Sequence, residues 1–362
     1  MLLAIHRSGA PLHREIYEAL KAGIREGHFR PGSRLPSTRA LCADLGVSRN
    51  TVLAAYEQLL AEGYALARER STTVVADVVA PPRAAARDAE PPPRLSAYAQ
   101  RLTREPWMPP SGSYAPRPGV RYDFRYGKPA LDDLPIDAWR RLLTAQAKRA
   151  PREALGYAAP AGHLPLREAL AQYLHRARAL RCDAEQILIV NGSQQAIDLA
   201  GRVLLDVGDA AVIEEPHYPG ATVAFDALGA RLIRLPTDGQ GLDPAQLPPS
   251  SSRARLAYVT PCHQFPSGVI MPLERRLALL DWARRNDAWI VEDDYVSEFR
   301  YEGSPIEALQ ALDHHGRVVY IGTFSKTLFP ALRLAYLVLP RALVRPFAAA
   351  KWVADRFSPP LP

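Results

Sequence analysis

The chain has 362 residues, of which 48% are hydrophobic and 23% charged, with a formal charge of +7. It has no apolar run near the ~20 residues of a membrane span, no signal-peptide pattern at its N-terminus, and three cysteines (Cys42, Cys182, Cys262) that are odd in number and widely spaced; together these argue against a membrane protein, a secreted disulfide scaffold and a zinc site, and for a reducing cytoplasm. The charge is uneven: residues 1–76 carry ten Lys/Arg against seven Asp/Glu and residues 77–121 seven against four, so a polyanionic partner is expected at the front third only.

From Pro11, the spacing of Ile16, Leu20 and Ile24 predicts an amphipathic helix that stops near Gly27. Ser37 is placed to cap a second helix ending at Gly46, and Ser48 a third that carries Val52, Tyr56, Leu59 and Leu60 on one face and stops at Gly63. Helix, short glycine-containing turn, helix is a helix-turn-helix arrangement, and the opening residues of its second helix, Arg49, Asn50 and Thr51, are those that reach base edges. Tyr64 to Ala76, with Thr72-Thr73-Val74-Val75, predicts a β-hairpin wing.

The string GSRLPSTRALCADLGVSRNTVLAAYEQLLAEGY resembles the winged-helix domain of the GntR family. By that resemblance Arg34, Ser37, Arg39, Arg49 and Thr51 contact phosphates or bases of double-stranded DNA. The wing departs from the family pattern, with Arg68, Glu69 and Arg70 where tip glycines are usual. Residues 77–119 are rich in proline (Pro81-Pro82, Pro91-Pro92-Pro93, Pro106, Pro109-Pro110, Pro116, Pro118) and predict an extended spacer without helix.

Beyond the spacer, strand-like and helix-like stretches alternate, which predicts an α/β domain with a mostly parallel sheet. Ile187-Leu188-Ile189-Val190 reads as a strand followed by Asn191-Gly192-Ser193-Gln194 at a helix start, which is either an ordinary cap or an anion site. Ala211-Val212-Ile213 leads to Tyr218, either an exposed loop residue or a ring-stacking one. Ala288-Trp289-Ile290-Val291 reads as a strand ending at Glu292-Asp293-Asp294-Tyr295; three acids there require a solvated turn, a metal, or a cationic group opposite. Val318-Val319-Tyr320-Ile321 runs into Gly322-Thr323-Phe324-Ser325-Lys326-Thr327 and on to Arg333, which combines a lysine able to attack a carbonyl with hydroxyls and a guanidinium suited to a phosphate. All four clusters lie after strands, where open α/β sheets bind ligands.

The strings LGYAAPAGHLPLREALAQYL, VNGSQQAIDL, EEPHYPGA, TPCHQFPSGVIMPLERR, VEDDYVSEFRY and GTFSKTLFPALRLAYLV resemble the large domain of fold-type I, aspartate-aminotransferase-like enzymes dependent on pyridoxal 5'-phosphate (PLP). Joined to a GntR head, they make the chain similar to the MocR/GabR subfamily of transcription regulators. The resemblance implies a winged helix-turn-helix domain over residues 1–76, a linker over 77–119, and a PLP-binding large domain over 120–362 that ends before the family's small domain. It further implies Lys326 as the lysine of the internal aldimine, Asp293 at the pyridine nitrogen, Tyr295 at the ring hydroxyl, Tyr218 stacked on the ring, and Gly192, Ser193, Gln194, Thr323 and Arg333 around the phosphate. Two departures stand out: Phe265-Pro266-Ser267-Gly268 replaces the aminotransferases' Asn-Pro-x-Gly, and no residue is assignable to the arginine that binds a substrate carboxylate. The expected function is therefore a cytoplasmic, dimeric, PLP-binding regulator of transcription that senses an amino compound or PLP at Lys326. The alternative is an aminotransferase with an appended helix-turn-helix.

Overall fold

Ile16, Leu20 and Ile24 do share one buried stripe, on helix α1 (Leu12–Arg25). In this computed structural model the described residues are 10–68, 72–77, 94–103, 119, 121–122, 127, 129–301 and 306–360. Helix α2 (Thr38–Leu45) is capped by Ser37, whose side chain accepts from Ala40 N, and it ends at Gly46 in the left-handed conformation. Helix α3 (Arg49–Ala61) begins after Ser48, which accepts from Thr51 N. The stripe of α1 meets Leu41, Val52, Ala55, Tyr56 and Leu59, and each fully buried side chain of this kind contributes about 1.5–3 kcal/mol. Strands β1 (Ala65–Arg68) and β2 (Thr72–Val75) form the antiparallel wing. Beyond the predicted hairpin, Arg34 bridges to Val74, so the α1–α2 connection adds a short third edge to the wing. The reading of Glu69 and Arg70 as the wing tip lies outside the described residues.

These elements belong to one compact unit, Met1–Pro93; Arg94–Pro362 forms a second. The second unit opens with a correction to the sequence reading, because the proline-rich stretch contains a helix, α4 (Ala97–Leu102). Its residues lie between Pro93 and Pro106, so no ring interrupts them, and Ser96 caps it by accepting from Ala99 N. Arg101 Nε of α4 donates to Ala227 O (2.9 Å).

Helices α5 (Ile136–Arg149) and α6 (Leu164–Arg178) precede the sheet. The chain then runs through β3 (Ile187–Val190), α7 (Ser193–Leu204), β4 (Ala210–Glu215), α8 (Pro219–Leu228), β5 (Arg231–Asp238), β6 (Gly241–Leu242), β7 (Ala254–Val259), α9 (Leu273–Arg285), β8 (Trp289–Asp294), α10 (Leu309–Leu312), β9 (Val318–Thr323), β10 (Ala335–Val338) and α11 (Arg341–Asp355). The eight strands lie in the order β3-β10-β9-β8-β7-β4-β5-β6. Pairs β9/β8, β8/β7, β7/β4 and β4/β5 are parallel, while β10 runs antiparallel to both its neighbours. The predicted mostly parallel α/β sheet is therefore present. The apolar runs Ile187–Val190 and Val318–Ile321 are buried on both faces, as strands covered by helices on each side must be. One face packs against α7, α8 and α11 through Ile197, Phe225 and Phe347, and the other against α6 and α9 through Leu174 and Leu279. The carboxyl ends of β3, β4, β8 and β9 share one edge, and the predicted clusters collect there.

Candidate functional site

In the N-terminal unit, Arg34, Arg39, Arg49 and Asn50 are exposed, so the three guanidinium groups are hydrated. Ser37 and Thr51 do more local work. The Ser37 hydroxyl accepts from Ala40 N (3.1 Å), and the Thr51 hydroxyl pairs with that of Ser48 (2.7 Å), which fixes the start of the recognition helix. Arg49, the first residue of α3, therefore projects from a helix end held by a cap.

At the sheet edge of the second unit, the three consecutive acids have three different environments. The sequence places them after the strand; the structure places them inside it, because β8 extends to Asp294, and the period of two sends neighbours to opposite faces. Glu292 accepts from Leu309 N (2.8 Å) and Gln310 N (2.9 Å), and burial pushes its pKa up to about 7. Asp294 pairs with Arg178 (2.6 Å) and accepts from Tyr320 Oη (2.7 Å). Asp293 alone faces the side of the α7 and α8 helices. Its Oδ2 accepts from Tyr258 Oη (2.5 Å), while Oδ1 is buried without a partner among the described residues. Burial raises its pKa to about 6 against the opposing bond from Tyr258. An ionised carboxylate with one bare oxygen in a dry site costs several kcal/mol unless a cationic donor meets it.

Lys326 lies in the turn after β9. Its Nζ donates to Gly127 O (3.0 Å); burial lowers its pKa, and the charge of Asp293 partly opposes that shift. A lysine so placed has more of the neutral amine that attacks a carbonyl than one in water.

A second cluster forms from β3, α7 and Arg333. Gly192 is the N-cap of α7 without a side-chain cap bond, and its φ of +96° suits glycine. A Cβ there would come within 2.3 Å of an Arg333 guanidinium nitrogen, so helix start and arginine are brought together only because this residue is glycine. Arg333 donates to Asn191 O (3.1 Å). A guanidinium beside an uncapped helix N-terminus is an anion cradle. Gln194 ties this cradle to the predicted stacking residue, donating to Gly220 O (2.9 Å) and accepting from Tyr218 Oη (3.3 Å). Thr323 is buried and turned inward: its hydroxyl donates to Ser325 Oγ (3.1 Å) and accepts from Ser325 N (3.2 Å). It shapes the loop and leaves Ser325 as the less buried hydroxyl.

Tyr295 does not stand alone. Phe265 meets Tyr218 edge-on (6.0 Å between centroids) and Tyr295 in the same way (6.1 Å), so the residue at the departing Asn position links the two predicted ring contacts. Burial raises the Tyr295 pKa to about 12. Gln264 is buried and holds this turn by donating to Pro216 O (2.7 Å) and Phe265 O (2.6 Å). His263 is half-buried, and desolvation lowers its pKa. A cavity of about 690 Å³ adjoins the lysine, lined by Lys326, Tyr295, Phe265, Pro266, Phe299 and Leu328, and also by Pro129, Asp133 and Pro135. Sequence reasoning missed Tyr258 and Gly220 as members of the site. For Tyr258 no local signal exists, since its link to Asp293 spans two strands. Ser325 stands among the hydroxyls that the sequence sets around Lys326, without a phosphate contact of its own assigned there.

Residues 124–355 match the aminotransferase class I and II family, and residues 12–75 match the bacterial regulatory proteins of the gntR family. The chain is 42% identical to the probable rhizopine catabolism regulatory protein MocR of Rhizobium meliloti over 96% of its length and 69% of that protein's. It is 38% identical to the HTH-type transcriptional regulator TauR of Rhodobacter capsulatus, over 99% of this chain and 73% of TauR. Among solved structures, the kynurenine aminotransferase of Pyrococcus horikoshii superposes with a TM-score of 0.61 at 35% identity, covering 65% of this chain. The chain spans 60% of the length of that enzyme.

Proposed function

The chain belongs to the MocR-type regulators, in which a GntR helix-turn-helix domain precedes an aminotransferase-like α/β domain, and from that premise we propose that it is a PLP-binding, DNA-binding transcriptional regulator that senses an amino compound at Lys326. The observation that carries the reading is Asp293, a buried carboxylate with one bare oxygen beside a lysine of lowered pKa, in a chain whose front unit presents Arg49 at a capped recognition helix.

The residues fit PLP. Asp293 Oδ1 is the acceptor that a protonated ring nitrogen needs, and Tyr258 holds the other oxygen so that the bare one is fixed in direction. Gly192, Ser193, Gln194, Ser325 and Arg333 would hold the phosphate, with Thr323 shaping the loop beneath them. Tyr218 would take one ring face and Tyr295 the ring hydroxyl. Lys326 would supply the neutral amine. PLP, when bound, supplies an aldehyde that captures primary amines and a ring that draws electrons from the attached carbon. Phe265 favours sensing over turnover, because an apolar ring stands where aminotransferases place an asparagine that tunes the ring hydroxyl.

In this reading an amino compound enters the cavity beside Lys326, and the change in what Lys326, Tyr295 and Phe265 contact biases how the winged helices meet DNA. The protein works in the cytoplasm, as a homodimer reading two operator half-sites. The test has two parts. Borohydride reduction of the PLP-treated protein followed by peptide mapping is expected to mark Lys326, and Lys326→Ala to abolish the mark. Operator mobility shifts are expected to respond to an amino compound only with PLP present. No mark on Lys326 would falsify the PLP reading, and steady conversion of amino donors to keto acids would favour the aminotransferase.

A further inference from the structure

A partly buried polar cluster beside the anion cradle takes no part in the chemistry above. Asp355, in the last turn of α11, accepts at Oδ2 from Asn191 Nδ2 (2.6 Å) and Gln195 Nε2 (2.7 Å), and at Oδ1 from Lys351 Nζ (2.5 Å). Lys351 is fully buried one turn earlier, so its charge has no water to turn to and Asp355 is its counter-ion. Ser358, also buried, donates to Asn191 Oδ1 (3.0 Å). Gln195 Oε1 in turn accepts from Asn191 N (2.8 Å).

One carboxylate thus holds both residues that flank the Gly192–Gln194 turn. The turn has little slack on its other side, where the Arg333 guanidinium lies against Gly192 and donates to Asn191 O. A shift of Asn191 by a few tenths of an ångström would therefore move the helix N-terminus and the arginine apart or into collision. Lys351 lies on α11 itself, so the bonds that join Asp355 to the sheet edge are the two amide donors, and both come from the rim of the cradle.

We infer that Asp355 is a positioning residue for the anion cradle: by fixing Asn191 and Gln195 it holds the α7 N-terminus and Arg333 in the spacing a phosphate needs, and so couples phosphate occupancy to the position of α11. The inference rests on the PLP reading above. Reciprocity then requires that PLP in the cradle stabilise the docking of α11, since each fixes the same turn.

The experiment titrates the full chain and its Asp355→Asn variant with PLP and with pyridoxal, which lacks the phosphate, and records unfolding without ligand. The expected result is an about tenfold higher Kd for PLP and a change under about twofold for pyridoxal, because the lost charge-assisted bonds act only through the phosphate. A purely structural role would weaken both ligands alike, and that result, like an unchanged Kd for PLP, overturns the inference. If Asp355→Asn does not fold, Gln195→Ala, which keeps the Lys351–Asp355 pair, takes its place with the same expectation. Wild-type protein that binds neither ligand overturns the PLP reading itself and this inference with it.

Discussion

The winged-helix unit keeps its working charges in water, whereas the aminotransferase-like unit puts its own into the sheet. Arg34, Arg39 and Arg49 are exposed and separate from the core of Ile16, Leu20 and Leu59. Asp293, Glu292, Asp294 and Thr323 are each less than a tenth exposed and are continuous with the core strands that carry them. Under the proposed function the difference follows from the two tasks. A polyanion is attracted over distance and is bound by releasing counterions, so arginines serve it best when hydrated. A lysine that must lose its proton and a carboxylate that must meet a ring nitrogen need a dry site, where each interaction is strong and each missing partner costly. Substitution in the first unit should therefore change affinity with little effect on folding, and substitution in the second should touch binding and stability together.

The largest expected effect tests the buried side. Removing the carboxylate in Asp293→Ala takes away the partner of a buried cation, a loss of at least about 2 kcal/mol, so the Kd for PLP should rise at least about thirtyfold in a spectral titration. Operator affinity without ligand should stay put; a parallel fall would break the separation of the two units. Next in size, Arg49→Ala should weaken operator binding by about 1–3 kcal/mol in a mobility shift at fixed salt, with the PLP titration unchanged. An Arg49→Ala protein with wild-type affinity on every operator tested would remove α3 from the interface.

The smallest effect is a pH dependence. Burial raises Glu214 and Glu292 to about 7 and Asp293 to about 6, all above their ordinary values near 4. The folded state then holds more protons than the unfolded one between these limits, so the contribution is complete below the unfolded values and is lost as pH rises through about 6–7. Without ligand, the second unit should unfold at higher temperature at pH 6 than at pH 8, by about 2–4 °C for each kcal/mol involved, and Glu214→Gln should flatten the slope. In the winged-helix unit, Glu62 is shifted the other way, chiefly by its hydrogen bond from Tyr17, and that window lies below pH 6. A slope of opposite sign between pH 6 and 8 would mean that these carboxylates are not desolvated in solution.

Much of this was legible from local pattern. The caps Ser37 and Ser48, the stops Gly27, Gly46 and Gly63, and the strands at Ile187 and Val318 are short-range facts, set by residues a few positions apart, and the folded chain keeps them. Local pattern hides the helix at Ala97–Leu102, because prolines flank it on both sides although it contains none. The acids were misplaced for a related reason: charge was read as the end of a strand, yet β8 continues through all three, since Leu309 N, Tyr258 and Arg178 arrive from elsewhere to receive them.

Local sequence pattern carries the helix-turn-helix elements, the alternation of strands and helices, and the inventory of groups: a lysine, a carboxylate, a tyrosine, a glycine turn and an arginine. Only the tertiary structure decided which of Glu292, Asp293 and Asp294 keeps a bare oxygen, that Tyr258 aims it, that Phe265 joins Tyr218 to Tyr295, and that Asp355 holds the turn beside Gly192. Those decisions rest on hydrogen bonds and contacts between residues 17 to 164 positions apart. Local propensity carries no information about such pairs, because their partners become neighbours only when the strands align in the order β3-β10-β9-β8-β7-β4 and burial makes each unpaired polar atom costly.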